Sequence, residues 1–282
     1  MKIAVFDSGF GSLSIIREIQ KKFKGELIYF ADQKNFPYGV KSKIELENII
    51  KETIVLLEKK FSPELIVMAS NTPTLLLNFS RISPKIVGVY PPLNDAVKIS
   101  RTRNIAILGT KTIIQSENIT KFIENCKVPN DIVVHKIDCS LLVELVESGK
   151  FLTDKEYCKN IIKEVLEDVF LDNSIDVATL SSTHLPFLES FLRLIFKNVK
   201  FLDPAENVAN YVKELVLKYD TPHFLPSLHF FQHPHPHGLP SILKIFTSGD
   251  VKLFKKNLQM IGIDDEVRSI DDPEIMFDHR LE

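Results

Sequence analysis

The feature that most constrains this chain is a strand-and-loop signature that occurs twice. Leu65-Ile66-Val67-Met68-Ala69 is an apolar run too short for a solitary helix, and it passes straight into Ser70-Asn71-Thr72-Pro73-Thr74. A buried parallel strand delivers small polar groups to a helix start in this way. The same shape returns at Asp176-Val177-Ala178-Thr179-Leu180-Ser181-Ser182-Thr183-His184-Leu185-Pro186. In both copies an acid stands six residues before the hydroxyl residue, Glu64 before Ser70 and Asp176 before Ser182. A second pair of segments echoes as well: Ile3-Ala4-Val5-Phe6-Asp7-Ser8 and Ile105-Ala106-Ile107-Leu108-Gly109-Thr110, offset by 102 positions against 112 for the first pair. Two matched strand-end loops on a weak internal repeat predict one pocket made twice.

Strands and helices alternate along the rest of the chain. Residues 2–6 form a strand, Leu13, Ile16 and Ile19 mark a helix, and Leu27 to Ala31 form the next strand, ending at Asp32. A helix is expected from about Lys43 to Phe61 with Ile44, Ile50, Ile54 and Leu57 on one face. After Thr74 come a helix, a strand at Lys85 to Val89 and a turn at Tyr90-Pro91-Pro92. The second half repeats the theme, with strands near 104–109, 132–137, 177–180 and 199–202 and helices near 141–147, 154–170, 191–197 and 204–218. Ile242 to Thr247 adds a strand, followed by a helix to about Leu258 and an acidic end. The pattern predicts an α/β protein of two doubly wound domains with parallel sheets, the first from residues 1–97 plus 208–282 and the second from 98–207. In such sheets ligands bind beyond the carboxyl ends of the strands, which is where every polar loop named above falls.

Composition narrows the partners. Net charge is −2 across 282 residues, so no basic field attracts nucleic acid. No apolar run approaches the roughly 18 residues a membrane span needs, and the N-terminal apolar segment meets Asp7 too soon for a signal peptide. The expected location is the cytoplasm. Cys126, Cys139 and Cys158 form no C-x-x-C pair and read as ordinary thiols of a reducing compartment. His223 to Pro240 carries five of the eight histidines among prolines and is expected to be an exposed loop. Its histidines at 229, 233, 235 and 237 lack carboxylate or thiolate company, so no metal site is expected there.

Single motifs are ambiguous. Gly9-Phe10-Gly11 offers two glycines of a dinucleotide fingerprint, with Asp32 at the ribose position, but the third glycine is missing and Asp7 would stand beside a pyrophosphate. A phosphatase-type nucleophilic Asp7 would want a second aspartate where Gly9 stands. Asp7, Asn71, Thr72 and Thr183 could each simply cap a helix, and His184 alone could be a packing residue.

Six blocks taken together resemble the cofactor-independent glutamate racemases of the aspartate/glutamate racemase superfamily. They are Phe6-Asp7-Ser8-Gly9-Phe10-Gly11, Phe36-Pro37-Tyr38-Gly39, Ala69-Ser70-Asn71-Thr72, Leu142-Val143-Glu144-Leu145-Val146-Glu147, Ser182-Thr183-His184-Leu185-Pro186 and Phe246-Thr247-Ser248-Gly249-Asp250. The resemblance implies two pseudo-symmetric domains with glutamate sealed between them, no cofactor, and a possible homodimer. It implies a substrate site made of Asp7, Ser8, Pro37, Tyr38, Gly39, Asn71, Thr72, Thr183 and His184. Racemisation removes the α-proton on one face and returns one on the other, and the family does this with two cysteines. Those correspond by position to Ser70 and Ser182, with Asp7 assisting the first, His184 the second, and Glu147 supporting the histidine.

Here the chain departs from the family pattern. A thiol, with an ordinary pKa of about 8.5, can be tuned into a base, whereas a serine hydroxyl is far less acidic and its alkoxide is disfavoured beside Asp7. Binding is expected to survive and racemisation to be slow or absent. The alternatives are a non-catalytic dicarboxylic amino-acid binding or regulatory protein on the same scaffold, or a racemase of aspartate. A further departure is Tyr90-Pro91-Pro92, where the family usually has an acid before the proline.

Overall fold

The structure, a computed structural model, describes residues 1–77, 85–219 and 241–276. Its strands are β1 (Lys2–Asp7), β2 (Glu26–Ala31), β3 (Leu65–Met68), β4 (Ile86–Gly88), β5 (Asn104–Gly109), β6 (Val133–Asp138), β7 (Val177–Leu180), β8 (Lys200–Leu202), β9 (Ile242–Thr247) and β10 (Val267–Ser269). They form two sheets, ordered β10-β9-β2-β1-β3-β4 and β6-β5-β7-β8. Every strand pair in both is parallel, which is the expected fold class. The echoed segments occupy equivalent places. β1 lies between β2 and β3 as β5 lies between β6 and β7, with Ile3 beside Leu65 and Ile105 beside Val177. The repeat seen in sequence is thus a repeated four-strand order, β2-β1-β3-β4 and β6-β5-β7-β8.

Side chains of alternate parity leave opposite faces of a strand. In the first sheet Ile3, Val5, Leu65 and Val67 pack in the cluster that also holds Ile15, Ile16 and Ile19 of helix Leu13–Lys22. Ala4, Phe6, Ile66 and Met68 pack with Leu46, Ile50, Ile54 and Leu57 of helix Lys43–Phe61. The second sheet does the same. Ala106, Leu108, Ala178 and Leu180 share a cluster with Leu142, Leu145 and Val146 of helix Ser140–Glu147 and with Ile162 and Leu166 of helix Lys155–Asp172. Ile105, Ile107 and Val177 pack with Ile113 and Ile119 on the other side. Helix Ala205–Tyr219 returns to the first sheet's side, where Lys22 donates to Asn210 at 2.6 Å.

Three expectations need correction. Ile44 is 77% exposed rather than on the buried face. The stripe runs through Leu46, Ile50, Ile54 and Leu57, and Ile44, two residues before Leu46, lies about half a turn away from it. The helix expected after Thr74 begins at Asn71 (Asn71–Leu76), so Asn71 and Thr72 lie in its first turn. The acidic end contains β10, an edge strand of three residues too short to show alternation. The His223–Pro240 expectation falls outside the described residues. Among the described residues no helix is long and apolar enough to cross a membrane, and no cluster of potential metal ligands occurs.

Candidate active site

The carboxyl ends of β1, β3, β5 and β7 converge on a cavity of about 340 Å³. Asp7, Ser8, Pro37, Tyr38, Gly39, Ser70, Asn71 and Thr72 line it from the first sheet's side, and Ser182, Thr183 and His184 line it from the second's. Every residue singled out from the sequence is therefore in one place except Glu147, which stands one shell back on His184. The volume suits a small ligand.

Local structure explains why these groups face the cavity. Ser70 is extended (φ −144°, ψ 127°) before helix Asn71–Leu76, and its side chain makes no capping bond. Its carbonyl instead accepts from Thr74 Oγ1 at 2.7 Å, and Thr74 Oγ1 accepts from the Val89 amide at 3.0 Å. Asn71 Nδ2 donates to Val89 O at 3.0 Å, pinning the turn to the chain beyond β4. Asn71 Oδ1 and Thr110 Oγ1 are buried with no partner among the described residues, although both residues line the cavity. A buried acceptor without a donor is costly unless a ligand or water supplies one. The helix-cap readings fail for three of the named residues: Asp7 and Thr183 bond each other, and Asn71 bonds Val89.

Asp7 is the electrostatic centre of the first half. Its Oδ1 accepts from the Ser8 amide at 2.7 Å and its Oδ2 from Thr183 Oγ1 at 2.8 Å, a bond that crosses between the two sheets. Burial lifts its pKa from the ordinary carboxylate range to about 6, opposed by the nearby His184 charge and by the hydroxyl and amide donors, Ser70 among them. His184 belongs to the other half. Burial disfavours its imidazolium, but the Glu147 carboxylate bonded to its Nε2, helped by Asp7, more than compensates, so its pKa lies above the ordinary histidine value.

Gly9 and Gly11 acquire a reason here. A Cβ on Gly11 would lie 2.6 Å from Thr183 Oγ1 and 2.9 Å from the His184 ring, and one on Gly9 would collide with Glu147. The glycines admit side chains of the second half rather than a pyrophosphate, which disposes of the dinucleotide reading. Asp32 is likewise committed: it accepts from Tyr38 Oη at 2.9 Å, Ser248 Oγ at 3.1 Å and Asn35 Nδ2 at 2.9 Å. It thereby fixes the 36–40 loop, whose Gly39 carbonyl accepts from Thr112 Oγ1 across the cavity. Cys126, Cys139 and Cys158 are absent from the lining, and burial pushes their thiols up.

Sequence reasoning missed Phe36, Val40, Thr110, Lys111, Thr112, Ile113, Ser140, Val143, Glu144 and Ser181 in the lining. One was findable: at the offset of 102 Thr110 is the repeat mate of Ser8. The aromatic residue at the Tyr90 departure stacks on Phe122 with ring centroids 5.8 Å apart and does not line the cavity.

No protein-family model matches the chain. Among curated proteins, a glutamate racemase of Sulfurihydrogenibium is 30% identical over 225 residues, covering 78% of this chain and 85% of the relative. Among solved structures, glutamate racemase isoform RacE1 of Bacillus anthracis superposes with a TM-score of 0.78 at 24% identity, covering 96% of this chain and 97% of that one. The Francisella tularensis glutamate racemase in complex with D-glutamate gives 0.74 at 21% identity, covering 96% and 98%. The structural matches share the two-sheet architecture, and the sequence match spans most of both chains, so this chain belongs to the glutamate racemase family.

Proposed function

We propose that the protein is a glutamate racemase-type isomerase whose cavity binds glutamate and places its α-carbon between the two strand-end loops. The observation that carries this is the single cavity lined from both halves of the repeat by Ser70 and Ser182. Ser8, Tyr38, Gly39, Thr72 and Thr183 would hold the carboxylates, Asn71 Oδ1 the ammonium, and Pro37 would shape the wall. Family membership supports glutamate as the substrate, and the many hydroxyl and amide groups among the described lining residues, with Lys111 exposed on the wall, agree with binding by neutral donors. Asp7 and His184, with Glu147 behind it, would serve the two faces. Residues 1–97 with 208–282 and residues 98–207 are proposed as the two domains, and the assignment of strands to sheets supports that division. A cytoplasmic homodimer belongs to the same reading, tested by sedimentation and cell fractionation.

With hydroxyls at both proton-transfer positions, racemisation is expected to be very slow. The test compares the chain with a Ser70→Cys/Ser182→Cys form by circular dichroism on L- and D-glutamate. The double cysteine form is expected to racemise both enantiomers, about 10²–10⁴-fold faster than the serine chain. A double cysteine form that binds glutamate but turns over neither enantiomer would make this a binding protein, and one that accepts aspartate alone would change the substrate.

A further inference from the structure

Once both thiol positions carry hydroxyls, the question is which group in this cavity can still take a proton from carbon. Among the described residues only two carboxylates line it, Asp7 and Glu144, and Glu144 is exposed on helix Ser140–Glu147. Asp7 is 1% exposed. The Ser8 amide, Thr183 Oγ1 and the Ser70 hydroxyl donate to it, and a carboxylate has about four acceptor sites, so one remains for a further proton. The second half offers no equivalent. His184 gives Nε2 to Glu147, and its Nδ1–Cε1 edge lies against Gly11, so close that a methyl group on Gly11 would be 2.9 Å from both atoms. The imidazole lines the cavity with Nε2 on Glu147 and Nδ1 beside Gly11, whereas Asp7 keeps an acceptor site there.

We infer that in this chain Asp7 is itself the proton acceptor, and that the protein catalyses one-sided exchange of the α-hydrogen: one enantiomer of glutamate exchanges with solvent with retention of configuration. This rests on the proposed glutamate site. The Cα–H bond breaks, its proton joins an Asp7 oxygen, and the electron pair moves into the α-carboxylate as an enediolate. A solvent deuteron then replaces the proton on Asp7 and returns to the same face of carbon. On the opposite face His184 would act only through the Ser182 hydroxyl, a far weaker acid than a thiol, so exchange outruns inversion. A carboxyl group raised into the neutral range is a better match to such a step than an ordinary one. The charged and titratable groups around it are His184 with Glu147 behind it, Tyr29 and Tyr38, and, on the cavity wall, Lys111 and Glu144.

The experiment follows the α-proton of L- and of D-glutamate by NMR in D2O with the full serine chain, and assays the opposite enantiomer by chiral chromatography. The expected result is loss of the α-proton signal from one enantiomer only, at least about tenfold faster than the other enantiomer appears. Asp7→Asn is expected to lower that exchange about 100-fold or more. Because Asp7→Asn could perturb folding, the serine chain's own rate is also measured against pH, and is expected to rise to a plateau above about pH 6. Exchange of both enantiomers alike, racemisation as fast as exchange, or exchange that survives Asp7→Asn overturns the inference. No exchange by the serine chain while the double cysteine form racemises overturns it too and leaves the proposed function standing. No turnover by either form overturns both.

Discussion

The two halves of the cavity are copies in backbone and opposites in chemistry. In the first, β1 ends on its own carboxylate, Asp7, and β3 delivers Ser70, Asn71 and Thr72. In the second, the position matching Asp7 is Gly109, and the charge comes instead from Glu147 on a neighbouring helix through His184. Burial lifts Asp7 to about 6, and Glu147 holds His184 above its ordinary value. A duplicated strand order fixes where the polar groups arrive, and it leaves each half free to choose which group carries charge. A reaction that must act on both faces of one carbon gains from that freedom, because its two faces do not need the same acid or base.

Restoring one thiol at a time should expose the asymmetry, with the largest effect of any change considered. Ser182→Cys supplies a titratable group to the half that lacks a free one, and should convert one-sided exchange into slow racemisation. Ser70→Cys adds a thiol where Asp7 already stands, and should accelerate exchange of one enantiomer without comparable inversion. Differences of about 10²-fold between the singles are expected from general acid–base catalysis, read as the ratio of inversion to exchange in D2O. Equal gains from the two singles would break the comparison.

The next test concerns how closely the halves approach. Gly11→Ala would place a methyl 2.6 Å from Thr183 Oγ1, so either the Thr183–Asp7 bond or the backbone must yield. Overpacking of this kind costs roughly 1–3 kcal/mol, and glutamate binding should fall with it. Gly39→Ala, whose nearest neighbour would be Thr110 at 3.6 Å, is the control and should shift thermal unfolding little.

Much of this was legible before any coordinates. Helix Lys43–Phe61 was readable end to end because its apolar spacing is regular, and its start is held by Ser42 Oγ, which accepts from the Glu45 amide at 3.3 Å. The echoed strands and most of the cavity residues they carry, Thr110 and Ser181 excepted, were readable because a parallel sheet puts strand ends together. Other features left no local trace. β10 is three residues long, and only Val267 among them is buried. Lys111 and Thr112 follow the carboxyl end of β5 and Glu144 lies on helix Ser140–Glu147, and none of the three sits in a motif that marks it as a cavity residue. The glycine pair was visible but misleading, since its purpose depends on Thr183, His184 and Glu147, more than 130 positions away.

A pH series on stability sharpens the contrast further. Asp7 has a higher pKa folded, about 6, than its ordinary 3.8, so the folded protein binds this proton more tightly than the unfolded chain. Its contribution to stability therefore falls as pH rises through about 4 to 6. At neutral pH the buried charge is a net cost, and Asp7→Asn should stabilise the protein by roughly 1–3 kcal/mol at pH 7.5 and by less at pH 5. Denaturant unfolding of both proteins at the two pH values checks this. A gap that narrows with rising pH would refute the assignment.

The smallest expected effect probes the other half. His184 is also raised, so its interaction with Glu147 contributes fully below the ordinary value of 6.5 and is lost as pH rises through the higher folded value. Glu147→Gln keeps a hydrogen-bonding group beside Nε2 but removes the charge. Burial, which disfavours the imidazolium, is then opposed mainly by Asp7, and the His184 titration followed by NMR should move to lower pH. Stability at pH 6 should drop, with a smaller change at pH 9. Because Asp7 and His184 attract one another, the same variant should raise the Asp7 pKa and displace the exchange profile toward higher pH. If the His184 titration moves while the exchange profile stays fixed, the two halves titrate independently, and the cavity is two sites side by side rather than one coupled device.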